Sequence, residues 1–140
     1  MNKWIGGLTI VLALVIAIVP LFSDCLSQGR SLKTESGMSV PMKCHWTALA
    51  EVGMGIPLAL AGVLHFTSKR KETFTSLGIL GVTLGALTVA FPTVLIGVCS
   101  NPDMMCNLVE RPVLIFAGTL VIAASLVNLY RTRQMAEQVA

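Results

Sequence analysis

Charge is scarce in this sequence. Asp, Glu, Lys and Arg make up 12% of its 140 residues, about half the roughly 25% usual in soluble domains. So small a charged share excludes an ordinary soluble domain. Period-two alternation of apolar and polar residues is also missing, which argues against membrane-spanning strands. No Pro/Gly/Ser-rich linker or low-complexity tract interrupts the chain, which leaves no room for separate domains. No Cys-x-x-Cys occurs, so the close pair that often activates a thiolate is absent. No spacing of Cys and His matches a recognised metal motif. The net charge of +3 is too small and too scattered to imply a nucleic-acid partner.

Apolar residues are present in bulk. They fill 54% of the sequence and gather into four blocks, Trp4 to Phe22, Trp46 to Phe66, Thr75 to Val98 and Pro112 to Tyr130. Each block is near the roughly 20 residues a helix needs to cross a hydrocarbon core about 30 Å thick. In a bilayer every backbone polar group must be paired within its segment, so the spans are expected to be helices. The expected fold is all-α: a polytopic four-transmembrane-helix bundle, one domain over residues 1–140, with short outer loops. The first block follows Lys3 as a signal-peptide core would. The following "LFSDCLS" offers no small-residue cleavage site, so span 1 is expected to be retained.

Lys and Arg near span ends favour the cytoplasm. Lys3, Lys69, Arg70, Lys71, Arg131 and Arg133 place six bases on one side, against Arg30, Lys33, Lys43 and Arg111 on the other. Both termini are therefore expected in the cytoplasm, with loops 1 and 3 outside the plasma (inner) membrane. Trp4, Trp46 and Tyr130 stand where interfacial anchors are expected. His65, beside the basic loop, reads as a surface residue of the cytoplasmic end.

This topology gathers all four cysteines outside, Cys25 and Cys44 bounding loop 1, Cys99 and Cys106 bounding loop 3. Disulfides persist in such an oxidising compartment. Of three connectivities, Cys25 with Cys44 and Cys99 with Cys106 is favoured, because "CSNPDMMC" contains an Asn-Pro-Asp turn signal. By loop-closure entropy each bond would contribute roughly 2.5 to 3.3 kcal/mol. Stapled loops are one reading of these residues. A second is redox exchange, since the outline resembles small four-helix membrane enzymes that make disulfides and pass electrons to a quinone. Cys44 at the start of span 2, next to Lys43 and His45, would be the activated thiol. A third is a soft-metal site for copper, or haem, built from Met42, Cys44, His45, Met104, Met105 and Cys106, whose thioether, thiolate and imidazole donors suit Cu(I). Met38 adds a fourth outer methionine, although methionine also serves as flexible apolar filler.

Glu51 is the one acid well inside a span as drawn here. Helical geometry places it about 20° from Cys44 and about 10.5 Å below it, with Thr47 on the same side. An acid there calls for a partner, and Arg111, His45 and Thr93 are the candidates. Gly78, Gly81 and Gly85 form a small-residue stripe that lets a helix approach a neighbour closely. The neighbour is either within the bundle or a partner protein. Pro57 and Pro92 are expected to kink spans 2 and 3, and Pro112 suits the first turn of span 4.

The run "MKCHWTA" opening span 2, "FPTVLIGVC" closing span 3 and "MMCNLVERPVLI" entering span 4 resemble a family of small four-span prokaryotic membrane proteins, domain of unknown function 4418. Met42, Lys43, Cys44, His45, Trp46 and Thr47 match its pattern, with Cys99 and Cys106 about the third loop. The resemblance carries no established activity. It implies an accessory role beside an ABC-type transporter of the macrolide-export kind, docked through the glycine stripe and the outer loops. The sequence therefore reads more as an accessory subunit, in a bilayer with a membrane-protein partner or a second copy, than as an enzyme. The topology predicts that, after reduction, a membrane-impermeant thiol reagent added from outside labels Cys25 and Cys106. Labelling only from the cytoplasmic side would overturn it.

Overall fold

A computed structural model of the chain describes residues 3–68 and 70–137. Lys69, one of the bases used for orientation, lies outside the described residues. Four long helices make up the fold: α1 (Lys3–Ser23), α2 (Lys43–Thr67), α3 (Lys71–Ala90) and α4 (Arg111–Glu137). With the turns that extend two of them, all four are long and apolar enough to cross a membrane. The all-α four-span expectation holds.

The span ends differ from those expected at both ends of the bundle: away from the cysteines α3 begins at Lys71 rather than Thr75 and α4 runs past Tyr130 to Glu137, and around the cysteines the path of the chain itself changes. Helix α2 begins at Lys43, before Trp46, so Cys44 lies within its first turn. Helix α3 gives way to a π turn, Phe91–Leu95. There Pro92 has no N–H to donate, and the N–H groups of Ile96 and Gly97 both donate to the Phe91 carbonyl, at 3.2 and 2.9 Å. A second π turn, Cys106–Glu110, leads into α4. Span 4 thus starts at Cys106 rather than Pro112, and "CNLVE" enters the membrane-spanning segment. Pro57 lies inside an unbroken α2. Loop 1 carries a small antiparallel hairpin, β1 (Leu32–Lys33) and β2 (Ser39–Val40), with Leu32 opposite Val40. Two residues per strand are too few to leave a period-two signal.

The helices pack as two hairpins, α1 with α2 and α3 with α4. Both hairpins depend on missing side chains. A Cβ at Gly62 would stand 3.1 Å from the Gly6 carbonyl oxygen, and one at Gly55 would stand 3.1 Å from that of Ala13. Across the other pair, a Cβ at Gly85 would lie 3.0 Å from the Gly118 carbonyl and 2.9 Å from Ile122, while Gly78 faces Leu129 and Gly81 faces Ser125. The glycine stripe of α3 is therefore spent inside the chain. Leu12, Ile16, Leu58, Leu84, Leu114 and Val121 fill the seam where the hairpins meet. Leu60, Ile79 and Phe116 are exposed on the outer faces, as suits contact with lipid. Trp4, Trp46 and Tyr130 are exposed too, at helix positions consistent with interfacial anchors.

His65 departs from expectation. It is buried rather than on the surface, with its ring centroid 5.4 Å from that of Phe74. The cause is the close approach at Gly6, where an added Cβ would come within 2.9 Å of the His65 Cβ. On the α3/α4 side of the same end, the buried Asn128 amide donates to the Phe74 carbonyl at 2.9 Å. If backbone contact holds the α3/α4 hairpin, Gly85→Leu should cost about 1–3 kcal/mol by overpacking, while Gly53→Leu, where nothing stands within 4 Å, should cost little. Denaturant unfolding in detergent measures both, and equal losses would refute the packing account.

Candidate functional site

Four cysteine sulfurs converge where the two hairpins meet. Loop 1 brings Cys25 from the end of α1, and the first turn of α2 brings Cys44; these two form a disulfide. Cys99 follows the first π turn and Cys106 opens the second, and both are free thiols. The second disulfide expected between them is not formed. Instead Cys99 Sγ lies 3.3 Å from Cys25 Sγ and 3.3 Å from Cys44 Sγ, and Cys106 Sγ lies 3.7 Å from Cys25 Sγ. All four sulfurs fall within 4.8 Å of one another. Three of the cysteines are buried and Cys99 is half-buried.

The backbone around the sulfurs is fixed by local pairing. Gly97 takes φ +78° at the end of the first π turn, a left-handed conformation that glycine accepts without steric cost. Its carbonyl accepts a 2.9 Å hydrogen bond from the buried Thr47 hydroxyl, which ties α2 to the segment leading into Cys99. The Asn107 amide donates to the Cys99 and Asn101 carbonyls and closes loop 3. Thr47, a functional candidate in the sequence, thus acts as a strut.

His45 is not part of the sulfur cluster. Its Nδ1 meets the Asp24 carboxylate at 2.8 Å, and the Ser27 N–H donates to the other Asp24 oxygen at 2.8 Å. Burial opposes the charge on Asp24, but the hydrogen bonds from His45 and Ser27, with the attraction of His45, outweigh it and hold the carboxyl below its ordinary value. Asp24 was not among the residues that the sequence singled out, because next to Cys25 it reads as an ordinary loop acid.

Glu51 is fully buried, as its place on the Cys44 face of α2 suggests. None of its three expected partners reaches it. His45 is held by Asp24, the Thr93 hydroxyl donates to the Val89 carbonyl at 2.6 Å, and Arg111 lines an open groove beside Cys99. Its electrostatic neighbours are Thr88 and Glu110. Glu110, also 0% exposed, went unnoticed because "VER" ahead of a proline reads as the start of a span. The π turn carries it inward.

Of the methionines, Met42 Sδ lies 3.8 Å from Cys99 Sγ, and Met42 and Met104 pack on the sulfur cluster. Met38 and Met105 are exposed. The four cysteines are the residues that could hold a soft metal, with Met42 beside them; two of the thiolates are consumed by the Cys25–Cys44 bond. Two open grooves reach Cys99. One, of about 320 Å³, is lined by Met42, Lys43 and Met104, and the other, of about 250 Å³, by Thr93, Asn107 and Arg111. Cys99 is the sulfur that an outside molecule meets first.

Two consequences are measurable. Gly97→Ala should cost about 1–2 kcal/mol, the penalty for a side chain in the left-handed region, and should loosen Cys99, read as faster alkylation; unchanged stability would refute the strut. Because the Asp24 carboxyl is held below its ordinary value, its contribution is present above the ordinary carboxylate range and fades as pH falls through it. The thermal-stability advantage of the wild type over Asp24→Asn should therefore be visible at neutral pH and disappear in acid. An advantage that persists in acid would show that the bridge contributes nothing.

Among known proteins, one family description, Domain of unknown function (DUF4418), matches residues 7–131. No curated protein and no solved structure matches the chain.

Proposed function

The chain belongs to the DUF4418 family, whose description names no activity, so we propose its function from the geometry of the site: a membrane-held thiol–disulfide exchange centre with Cys99 as its accessible thiol. The observation that carries the reading is the position of the free Cys99 sulfur, 3.3 Å from each sulfur of the Cys25–Cys44 disulfide. Exchange proceeds by attack of a thiolate on a disulfide sulfur. When Cys99 attacks Cys44, a Cys99–Cys44 bond forms, the Cys25–Cys44 bond breaks, and Cys25 leaves as a thiolate 3.7 Å from Cys106. No electrons enter or leave in that step. Net oxidation or reduction comes from a dithiol or disulfide partner meeting Cys99 in the grooves. A quinone is a different acceptor: two thiols of the centre close to a disulfide and their two electrons and two protons reduce it to the quinol.

The exchange end is extracytoplasmic in this reading, because disulfides persist there and the bases of the α2–α3 loop and the tail belong to the opposite end. Docking beside an ABC-type transporter is a separate role that the same chain can fill. It would use the lipid-facing helix surfaces or the exposed loop 1 hairpin, since the glycine stripe is occupied within the bundle.

The test is a trap. Cys106→Ser, treated with glutathione disulfide, should accumulate a mixed disulfide at Cys99, read by intact mass under non-reducing conditions, and Cys99→Ser should form none. A Cys25–Cys44 bond that neither exchanges nor reduces would leave the cysteines as staples. Copurification of stoichiometric copper, zinc or haem would replace exchange with binding at the same residues.

A further inference from the structure

Below the sulfurs, inside the bundle, lie side chains that the exchange chemistry leaves unused. Glu51 from α2, Glu110 from the second π turn and Thr88 from α3 are all 0% exposed. Among the described residues neither Glu110 oxygen has a hydrogen-bond partner, and the Thr88 hydroxyl lies beside the Glu51 carboxyl without a well-formed hydrogen bond. They come from three different segments, so no single helix face accounts for their meeting. Each acid is also tied to a cysteine of the cluster. Glu51 follows Cys44 by seven residues on α2, close to two full turns, and Glu110 follows Cys106 by four within one π turn.

The groups facing the acids come from every packed element. Glu110 feels the Asp24 carboxylate from the end of α1 and interacts with Cys106 in its own turn. Glu51 feels Glu110 and Thr88. Among the described residues, neither acid has an ion-pair partner; His45 is engaged by Asp24, and Arg111 faces the groove beside Cys99. Two negative charges enclosed together without a cation repel each other and lose their hydration, which is costly inside a membrane. One proton shared between them would relieve both costs, and it would belong to the pair rather than to either acid.

We propose that Glu110 and Glu51, backed by Thr88, form an intramembrane proton site that serves Cys106. This rests on the exchange reading of the sulfurs. Cys106 is a buried thiol, and a buried thiol becomes a nucleophile only by losing its proton. When Cys106 resolves a mixed disulfide between Cys99 and a partner, its S–H proton passes to the half-protonated carboxyl pair. The Cys106 sulfur bonds to Cys99 Sγ, which lies within 4.8 Å. The bond from Cys99 to the partner breaks, and the partner leaves as a thiolate that takes a proton from solution. The partner disulfide has then gained the two electrons given up by Cys99 and Cys106. Glu110, in the same turn as Cys106, acts as the general base for the thiol, and Glu51 and Thr88 are positioning residues that share its proton.

Resolution of the glutathione adduct at Cys99 provides the test, timed by non-reducing mass spectrometry across pH in the full-length protein. Glu110→Gln should slow resolution about a hundredfold at neutral pH and regain the wild-type rate above the ordinary thiol pKa of about 8.5. Glu110→Asp should keep part of the rate. A merely structural role would lower the rate at every pH. In parallel, infrared spectra of the reconstituted wild type at neutral pH should show the C=O stretch of a protonated carboxyl that changes on oxidation and is altered in Glu51→Gln. The wild-type spectrum alone decides this point should a variant fail to fold. An unaltered pH profile in Glu110→Gln, or carboxyls that stay ionised throughout, would overturn the proton site while leaving exchange standing. Absence of any adduct at Cys99 would overturn exchange, and with it the service to Cys106, even if a protonated carboxyl is seen.

Discussion

In hydrocarbon a polar group without a partner costs several kcal/mol, and the placement of the polar side chains in this bundle follows from that cost. Thr9, Thr83, Thr93 and Thr119 donate to carbonyls one turn back on their own helices, the pairing that a hydroxyl finds without help from tertiary structure. Asn128, which cannot pair that way, donates across to the Phe74 carbonyl on α3. Thr47 caps the Gly97 carbonyl left over where the first π turn ends. Against this pairing stand Glu51, Glu110, Thr88 and His65 Nδ1, whose buried polar atoms have no well-formed hydrogen bond among the described residues. A buried acid kept at such cost is better explained by what it binds than by what it stabilises.

The two π turns explain why these groups meet the sulfurs. Both interrupt helices where the chain passes the cysteine end, and each inserts a residue that rotates the following side chains. The first ends α3 early enough for Gly97 to reverse the chain and present Cys99 to the Cys25–Cys44 bond. The second turns Glu110 inward directly after Cys106 starts the helix. Without these turns, Cys99 would sit on a continuing helix and Glu110 at a span's mouth. The glycine contacts that close each hairpin then hold the first turn against α2 and α4 and the second against α1.

Much of this was legible in the chain itself. Hydropathy and length gave four helical spans, and the distribution of cysteines placed them at one end. The Cys25–Cys44 pairing followed from their bounding a single loop, and the inward place of Glu51 from the cost of an acid in hydrocarbon. The glycine stripe announced a close helix contact but not whose. Period and composition describe one helix at a time, so they could not say that α4 would take that stripe, that Gly6 would bury His65, or that Asp24 would take His45.

The sequence by itself determined the four apolar spans, the all-α class and the residue types at the cysteine end, because bilayer thickness and backbone pairing act on each segment separately. Only the tertiary structure decided that Cys99 and Cys106 would converge on an existing disulfide instead of forming their own, and that Glu110 would turn inward toward Glu51. Those outcomes depend on two π turns and on how near two hairpins can approach. Both are set by packing between segments far apart in the chain, which no local pattern encodes.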